Sequence, residues 1–200
     1  MAMRAHGCRT LGPGRRSVIW VQGCHFHCEG CIAKSFQSEE GGTAVSIEDM
    51  VKWVLQDEKS DGLTISGGEP FLQAAALAEM IRRIHETRDL GVIIYTGFLL
   101  EELELDPGKK DLLQETDLLI DGRYVQAADT GRPYVGSDNQ RMHFLTERYR
   151  PYEEAYYLRS GKREVEFRLD REKTMMIGVP ASEHINIWER IKEKTEKTKR

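Results

Sequence analysis

The sequence predicts an α/β protein wound from parallel β/α units. Two observations predict it. Short apolar runs alternate with stretches of helical periodicity through the first 125 residues, and each run ends abruptly in Gly, Cys or another polar residue. At 200 residues and 23.0 kDa the chain is long enough for one domain with a sizeable core.

Taken in order, Val18–Gln22 is a short apolar run after Gly12-Pro13-Gly14-Arg15-Arg16 and reads as the first strand. Residues 23–37 are rich in Cys, His and Gly, lack periodicity, and read as a loop. Ser46 is a helix N-cap with an acid three residues on, and Ile47, Met50, Val51, Val54 and Leu55 follow at helical spacing. Leu63-Thr64-Ile65 is a second strand, cut off by Ser66-Gly67-Gly68-Glu69-Pro70. Leu77, Met80, Ile81 and Ile84 mark the apolar face of a helix over about 73–88. Val92–Thr96 and Leu118–Asp121 are the third and fourth strands, with short helical pieces between them.

Beyond residue 125 the pattern changes. Residues 122–140 form a long Gly/Asp/Pro-rich loop, and Asn139-Gln140-Arg141 reads equally as a site element or as a polar loop entering a strand. Val165–Leu169 alternates as a half-exposed strand, with Thr174–Val179 as its antiparallel partner across 170–173. Residues 190–200 hold six basic and two acidic residues and read as a solvated helix end, with a basic docking arm as the alternative. Trp20, Trp53 and the tyrosines of 152–157 read as core or surface aromatics, or, for the tyrosines, as a partner surface.

Composition removes several function classes. Twenty-nine Lys+Arg against thirty-three Asp+Glu give a net charge of −4, so no basic surface covers the whole protein and no nucleic-acid partner is expected. No apolar run approaches the roughly 18 residues of a membrane span. The first twelve residues lack the apolar stretch of a secretory signal, so a soluble, cytoplasmic protein is expected.

Four cysteines, Cys8, Cys24, Cys28 and Cys31, crowd the start of the chain. Disulfide staples would spread along a small secreted fold; clustered thiols in a reducing compartment read as metal ligands or redox groups. The spacing Cys24-x-x-x-Cys28-x-x-Cys31 lets one loop bind three irons of a four-iron cube and leaves the fourth open to a small molecule. Zinc is the competing reading, with His25, His27 or Cys8 completing a tetrahedron. Gly67-Gly68-Glu69-Pro70 is the second candidate element. Paired glycines admit close backbone approach, and carbonyls with the Glu69 carboxylate make a receptor for an ammonium group. A strand-to-helix turn capped by Glu69 is the plain alternative. In parallel β/α folds the carboxyl ends of the strands share one face, so the loops after all four strands are expected to meet at one mouth.

With these motifs placed, the chain resembles the radical S-adenosylmethionine (SAM) enzymes. Among them it is most similar to the small activating enzymes of glycyl-radical proteins, the anaerobic ribonucleotide reductase activases. The matches run through Trp20-Val21-Gln22-Gly23-Cys24, Cys28-Glu29-Gly30-Cys31 and Asp61-Gly62-Leu63-Thr64-Ile65-Ser66-Gly67-Gly68-Glu69-Pro70. They continue through Tyr95-Thr96-Gly97-Phe98, Asp117–Gly122 and Gly136-Ser137-Asp138-Asn139-Gln140-Arg141. Two features depart from the common pattern. Gly30 stands where many of these enzymes have an aromatic residue, a glycine the reductase activases share. The segment after Leu145 is longer than a minimal activase requires.

The resemblance implies a partial (β/α) barrel over 1–145 and a C-terminal extension over 146–200 with a hairpin and terminal helix. It implies a 4Fe-4S cluster on Cys24, Cys28 and Cys31. SAM would be held through Gly67, Gly68, Glu69 and Pro70, with Thr96 and Asp121 contacting its hydroxyl or ammonium groups. The implied activity is reductive cleavage of SAM to a 5′-deoxyadenosyl radical that abstracts hydrogen from a large glycyl radical enzyme, fed by an electron donor such as flavodoxin or ferredoxin. No side-chain acid, base or nucleophile is implied as catalytic. A radical SAM enzyme acting on a small molecule, nucleoside or peptide, and a zinc-bound interaction module, are the alternatives.

Overall fold

The computed structural model describes residues 1–154, 163–169 and 174–198. A six-stranded sheet has its strands in sequence order: β1 (Met3–Cys8), β2 (Arg16–Val21), β3 (Gly62–Gly67), β4 (Gly91–Tyr95), β5 (Leu118–Asp121) and β6 (Arg141–Phe144). β2 to β5 are parallel, and β1 and β6 flank them antiparallel. The four expected strands are present within two residues of their expected bounds. The antiparallel edge β1 is an addition: Met3-Arg4-Ala5-His6-Gly7-Cys8 carries little apolar alternation, and its register breaks between Ala5 and Cys8, where Gly7 sits at φ +68°.

Residue parity decides the two faces of the sheet. Ile19, Val21, Leu63, Ile65, Val92, Ile94 and Leu119 point to one side, where they pack with Met50 and Val54 of α1 (Ile47–Gln56) and Leu77, Ile81 and Ile84 of α2 (Ala74–His85). Ser46 caps α1 as expected, its Oγ accepting from Asp49 N at 3.1 Å. α3 (Leu100–Leu105) and α4 (Pro107–Gln114) complete this layer, and Asp106 caps α4 by accepting from Gly108 N at 2.9 Å. Val18, Trp20, Ile93, Tyr95, Leu118 and Ile120 point to the other side.

On that second side lies an antiparallel hairpin, β7 (Val165–Leu169) and β8 (Thr174–Gly178), as the alternation predicted. Its Ile177 is buried among Ala5, Cys8, Leu11, Val18 and Trp20. α5 (Ser182–Thr198) follows and takes in most of the expected helical tail. The turn at 170–173 and the tyrosines 156 and 157 lie outside the described residues.

Arg16 opens β2 and is fully buried, with no carboxylate partner among the described residues. Its guanidinium donates to Thr64 Oγ1 (2.6 Å), Tyr149 Oη (2.7 Å) and the carbonyls of Leu63 (2.7 Å), Gly91 (2.9 Å) and Pro13 (3.2 Å). It closes the amino-terminal end of the sheet, opposite the loops that follow the strands. Arg16→Ala strands several buried acceptors at once, and a loss of at least about 3 kcal/mol in urea unfolding is expected.

Candidate functional site

The loops after β2, β3, β4 and β5 meet around one cavity of about 390 Å³. Cys24, Cys28 and Cys31 line it together with Gly67, Gly68, Glu69, Thr96, Gly97 and Gly122. The expected convergence of strand ends is therefore a property of the structure.

The cysteine loop is seated by backbone. Gly23 N donates to Phe36 O and Cys24 N to Gln37 O, both at 2.9 Å; Glu69 N donates to Gly23 O at 2.8 Å. Gly68 has to be a glycine here: a Cβ would stand 2.2 Å from Gly23 O and 2.9 Å from Phe36 O. Within the loop, His27 (φ +49°) and Gly30 (φ +72°) occupy the left-handed region. Tyr124 and Gln126 fill the space that a side chain at position 30 would take, which accounts for the missing aromatic residue there. All three cysteines are free and half-buried. Burial pushes the Cys24 thiol up, opposed by backbone hydrogen bonds from Phe26 and His27. Phe26 packs edge-on to Phe98 (4.9 Å between centroids), lies under the Arg123 guanidinium (4.4 Å) and sits so close to Gly97 that a Cβ there would meet its ring at 2.5 Å.

Glu69 is buried at the mouth of β3. Its Oε1 accepts from Phe71 N (2.9 Å) and Thr96 Oγ1 (2.8 Å), and its Oε2 from Gly97 N (2.8 Å). The carboxylate thus caps the turn at Pro70–Gln73, as the plain reading held, and Oε2 retains capacity for one further donor from the cavity. Thr96 holds Glu69 in place. Burial pushes the Glu69 carboxyl up to about 7 against these hydrogen bonds. The folded chain then keeps a proton that the unfolded carboxyl loses near its ordinary value of 4.5. Stability from this group is full below about 4.5 and is lost as pH rises through about 7. Without added ligand, urea unfolding at pH 5 and pH 7.5 is expected to show wild type losing roughly 2–4 kcal/mol more than Glu69→Gln over that interval.

Asp121 and Pro70 stand apart from the cavity. Asp121 shares the parity of Leu119 and is fully buried on the helix side, accepting from Leu100 N (2.8 Å) and Arg141 Nε (3.1 Å), with His143 Nε2 at 2.9 Å. Burial pushes its carboxyl up, but the His143 and Arg141 hydrogen bonds outweigh that and hold it well below the usual range. Pro70 is buried at the start of its turn.

Two more residues line the cavity: Gln140, which the sequence leaves between a site element and a polar loop, and Tyr95, to which the sequence assigns no role. Among the described residues the Tyr95 hydroxyl is buried without a hydrogen-bond partner, and Gln140 ties the long loop shut by donating to Gly122 O (2.7 Å) and accepting from Gly136 N (2.6 Å). Of the residues that would complete a zinc tetrahedron, Cys8 is buried against the hairpin and His25 packs at a tilt against Phe26 and Phe98. Among the described residues no three His, Cys, Asp or Glu side chains are grouped to hold a single metal ion.

The donor set suits an iron–sulfur cluster: three free thiols on one short loop, turned to a common cavity, the first receiving backbone N–H groups. The chain belongs to the family of 4Fe-4S single cluster domains, whose pattern matches residues 10–143. Its relatives are more particular. It is 36% identical over 143 residues to the anaerobic ribonucleoside-triphosphate reductase-activating protein of Vibrio cholerae, covering 68% of this chain and 91% of that one. The protein of the same name from Pasteurella multocida is 34% identical over 145 residues, with the same coverage, and that of Enterobacteria phage T4 is 29% identical over 138 residues, covering 66% and 85%.

Proposed function

We propose that the chain is a radical SAM activating enzyme that installs a glycyl radical on a large partner enzyme. The observation that carries this reading is the single cavity shared by the cysteine trio and the Gly67-Gly68-Glu69 turn, in a chain whose relatives are named as reductase-activating proteins. The sheet is read as a partial (β/α) barrel, with residues 1–145 as the core and 146–200 as the extension.

In this reading Cys24, Cys28 and Cys31 hold the cluster. The cluster and SAM, when bound, would supply one-electron reductive cleavage of the S–C5′ bond, fed by a flavodoxin- or ferredoxin-like donor, and with it the capacity to abstract a hydrogen atom from a glycine Cα. The chain's own residues bind and orient. Glu69, ionised, uses the spare capacity of Oε2 for the methionyl ammonium, with the backbone around Gly67 and Gly68 beside it. Thr96 and Gly97 N fix that carboxylate so that little reorganisation accompanies binding. Trp20, Phe36 and Tyr95 line the cavity and exclude water from it. Asp121 acts by anchoring Arg141 and α3, and Pro70 by fixing the turn.

The test mixes anaerobically reconstituted chain, reductant and SAM with an anaerobic ribonucleoside-triphosphate reductase, the enzyme that the relatives' names give. A glycyl doublet in the partner's electron paramagnetic resonance spectrum is expected. Deuterium transferred into 5′-deoxyadenosine from a small molecule, with no protein radical, would replace the partner enzyme by a small substrate.

A further inference from the structure

The hairpin and α5 lie beyond the matched family domain, which ends at residue 143, yet they line the same cavity as the three cysteines. They are held there by named contacts. Arg163 is buried and its guanidinium is saturated. Nε donates to Arg132 O (3.1 Å), Nη1 to Pro180 O (2.9 Å), and Nη2 to the carbonyls of Val135 and Gly136 (both 2.8 Å), while Asp129 balances its charge at 2.7 Å. Thr10 Oγ1 donates to Ile177 O at 3.0 Å, and Arg9 N donates to the Glu166 carboxylate.

Both faces of the hairpin carry packing contacts. Ile177, with Met175 and Val179, packs on the main sheet. Phe167, which pairs with Met176 on the opposite face, stacks on Trp188 of α5 with centroids 6.3 Å apart. β7 occupies one edge of β8, and among the described residues β8 pairs with no other strand. Consecutive residues Thr174, Met175 and Met176, and then Gly178 and Val179, all line the cavity. A strand that turned only a face to the cavity would contribute alternate residues. Here the strand's remaining edge opens into it.

We propose that β8 is a docking edge for an extended polypeptide segment, which pairs with it as an added strand and places apolar side chains against Met175, Met176, Ile185 and Trp188. This rests on the radical SAM reading and names how its protein substrate is chosen. The chemistry fits a peptide. An edge strand offers backbone donors and acceptors in register. The methionines give an adaptable apolar lining. Among the described residues the one cation the extension brings to the cavity, Arg163, is already neutralised, so these residues offer no free positive charge to a phosphate or carboxylate.

The test uses the full, cluster-loaded chain and three fluorescein-labelled peptides, read by anisotropy under anaerobic conditions. They are Lys-Leu-Val-Gly-Leu-Val-Lys, the same sequence N-methylated at alternate backbone nitrogens, and Lys-Ser-Asn-Gly-Ser-Asn-Lys. The first is expected to bind at least about tenfold more tightly than either of the others, and Met176→Ser to weaken it about fivefold with iron content retained. Equal binding of the N-methylated peptide removes strand pairing, equal binding of the polar peptide removes the apolar lining, and no binding of the first peptide removes the docking edge. Cleavage of SAM by dithionite, measured on the same preparation, keeps the two readings separate: cleavage without peptide preference overturns this inference alone, while a loaded chain that leaves SAM intact overturns the proposed function.

Discussion

Replacing Cys28 by alanine is expected to drop iron content from about four per chain to below about one, and to abolish SAM cleavage with it. Cys28 lies between Cys24 and Cys31 on a loop of eight residues, and none of the other described His, Cys, Asp or Glu side chains joins these thiols in a metal-holding group. Cys8 cannot substitute, because it is buried against the hairpin, where desolvation pushes its thiol up to about 12 and Arg168 Nη2 lies 3.4 Å from its sulfur. Iron analysis and the visible spectrum after anaerobic reconstitution check the result. Full iron content in the variant would remove the cysteine trio from the account.

Gly68→Ala is expected to have nearly as large an effect without touching a ligand. The added methyl meets backbone atoms on the cysteine loop's own seat, Gly23 O at 2.2 Å, Gly23 C at 2.8 Å and Phe36 O at 2.9 Å, and no side chain can rotate away to admit it. Either the loop lifts from β3 or the Gly68–Glu69 turn does. A loss of at least about 3 kcal/mol in urea unfolding is expected, together with a several-fold fall in iron retained after desalting. Wild-type iron retention would show that the loop is seated elsewhere.

Much of this arrangement was legible in the sequence because its signals are local. Apolar runs at 18–22, 63–65, 92–96 and 118–121 mark parallel strands, and the residues after them share a mouth through topology alone. Five features were less accessible, each for a physical reason. β1 escapes notice because its sequence is polar and bulged, its strand character coming from pairing with β2. Asp121 had a signal that pointed away from the cavity: it lies two residues from Leu119, and strand parity sends both to the helix side. Tyr95 had the reverse signal, sharing the parity of Ile93 on the cavity side. Arg163 could not have been found, since the carbonyls and carboxylate it gathers come from residues 129–136 and from Pro180. Gly30 explains itself only once Tyr124 is seen filling the space beside it.

The most direct measurement is product analysis after dithionite reduction of the reconstituted chain with SAM under anaerobic conditions. The account predicts methionine and 5′-deoxyadenosine in equal amounts from a protein carrying about four irons. Intact SAM on a chain with that iron content, or a chain that retains one zinc and no iron after anaerobic purification, would contradict it.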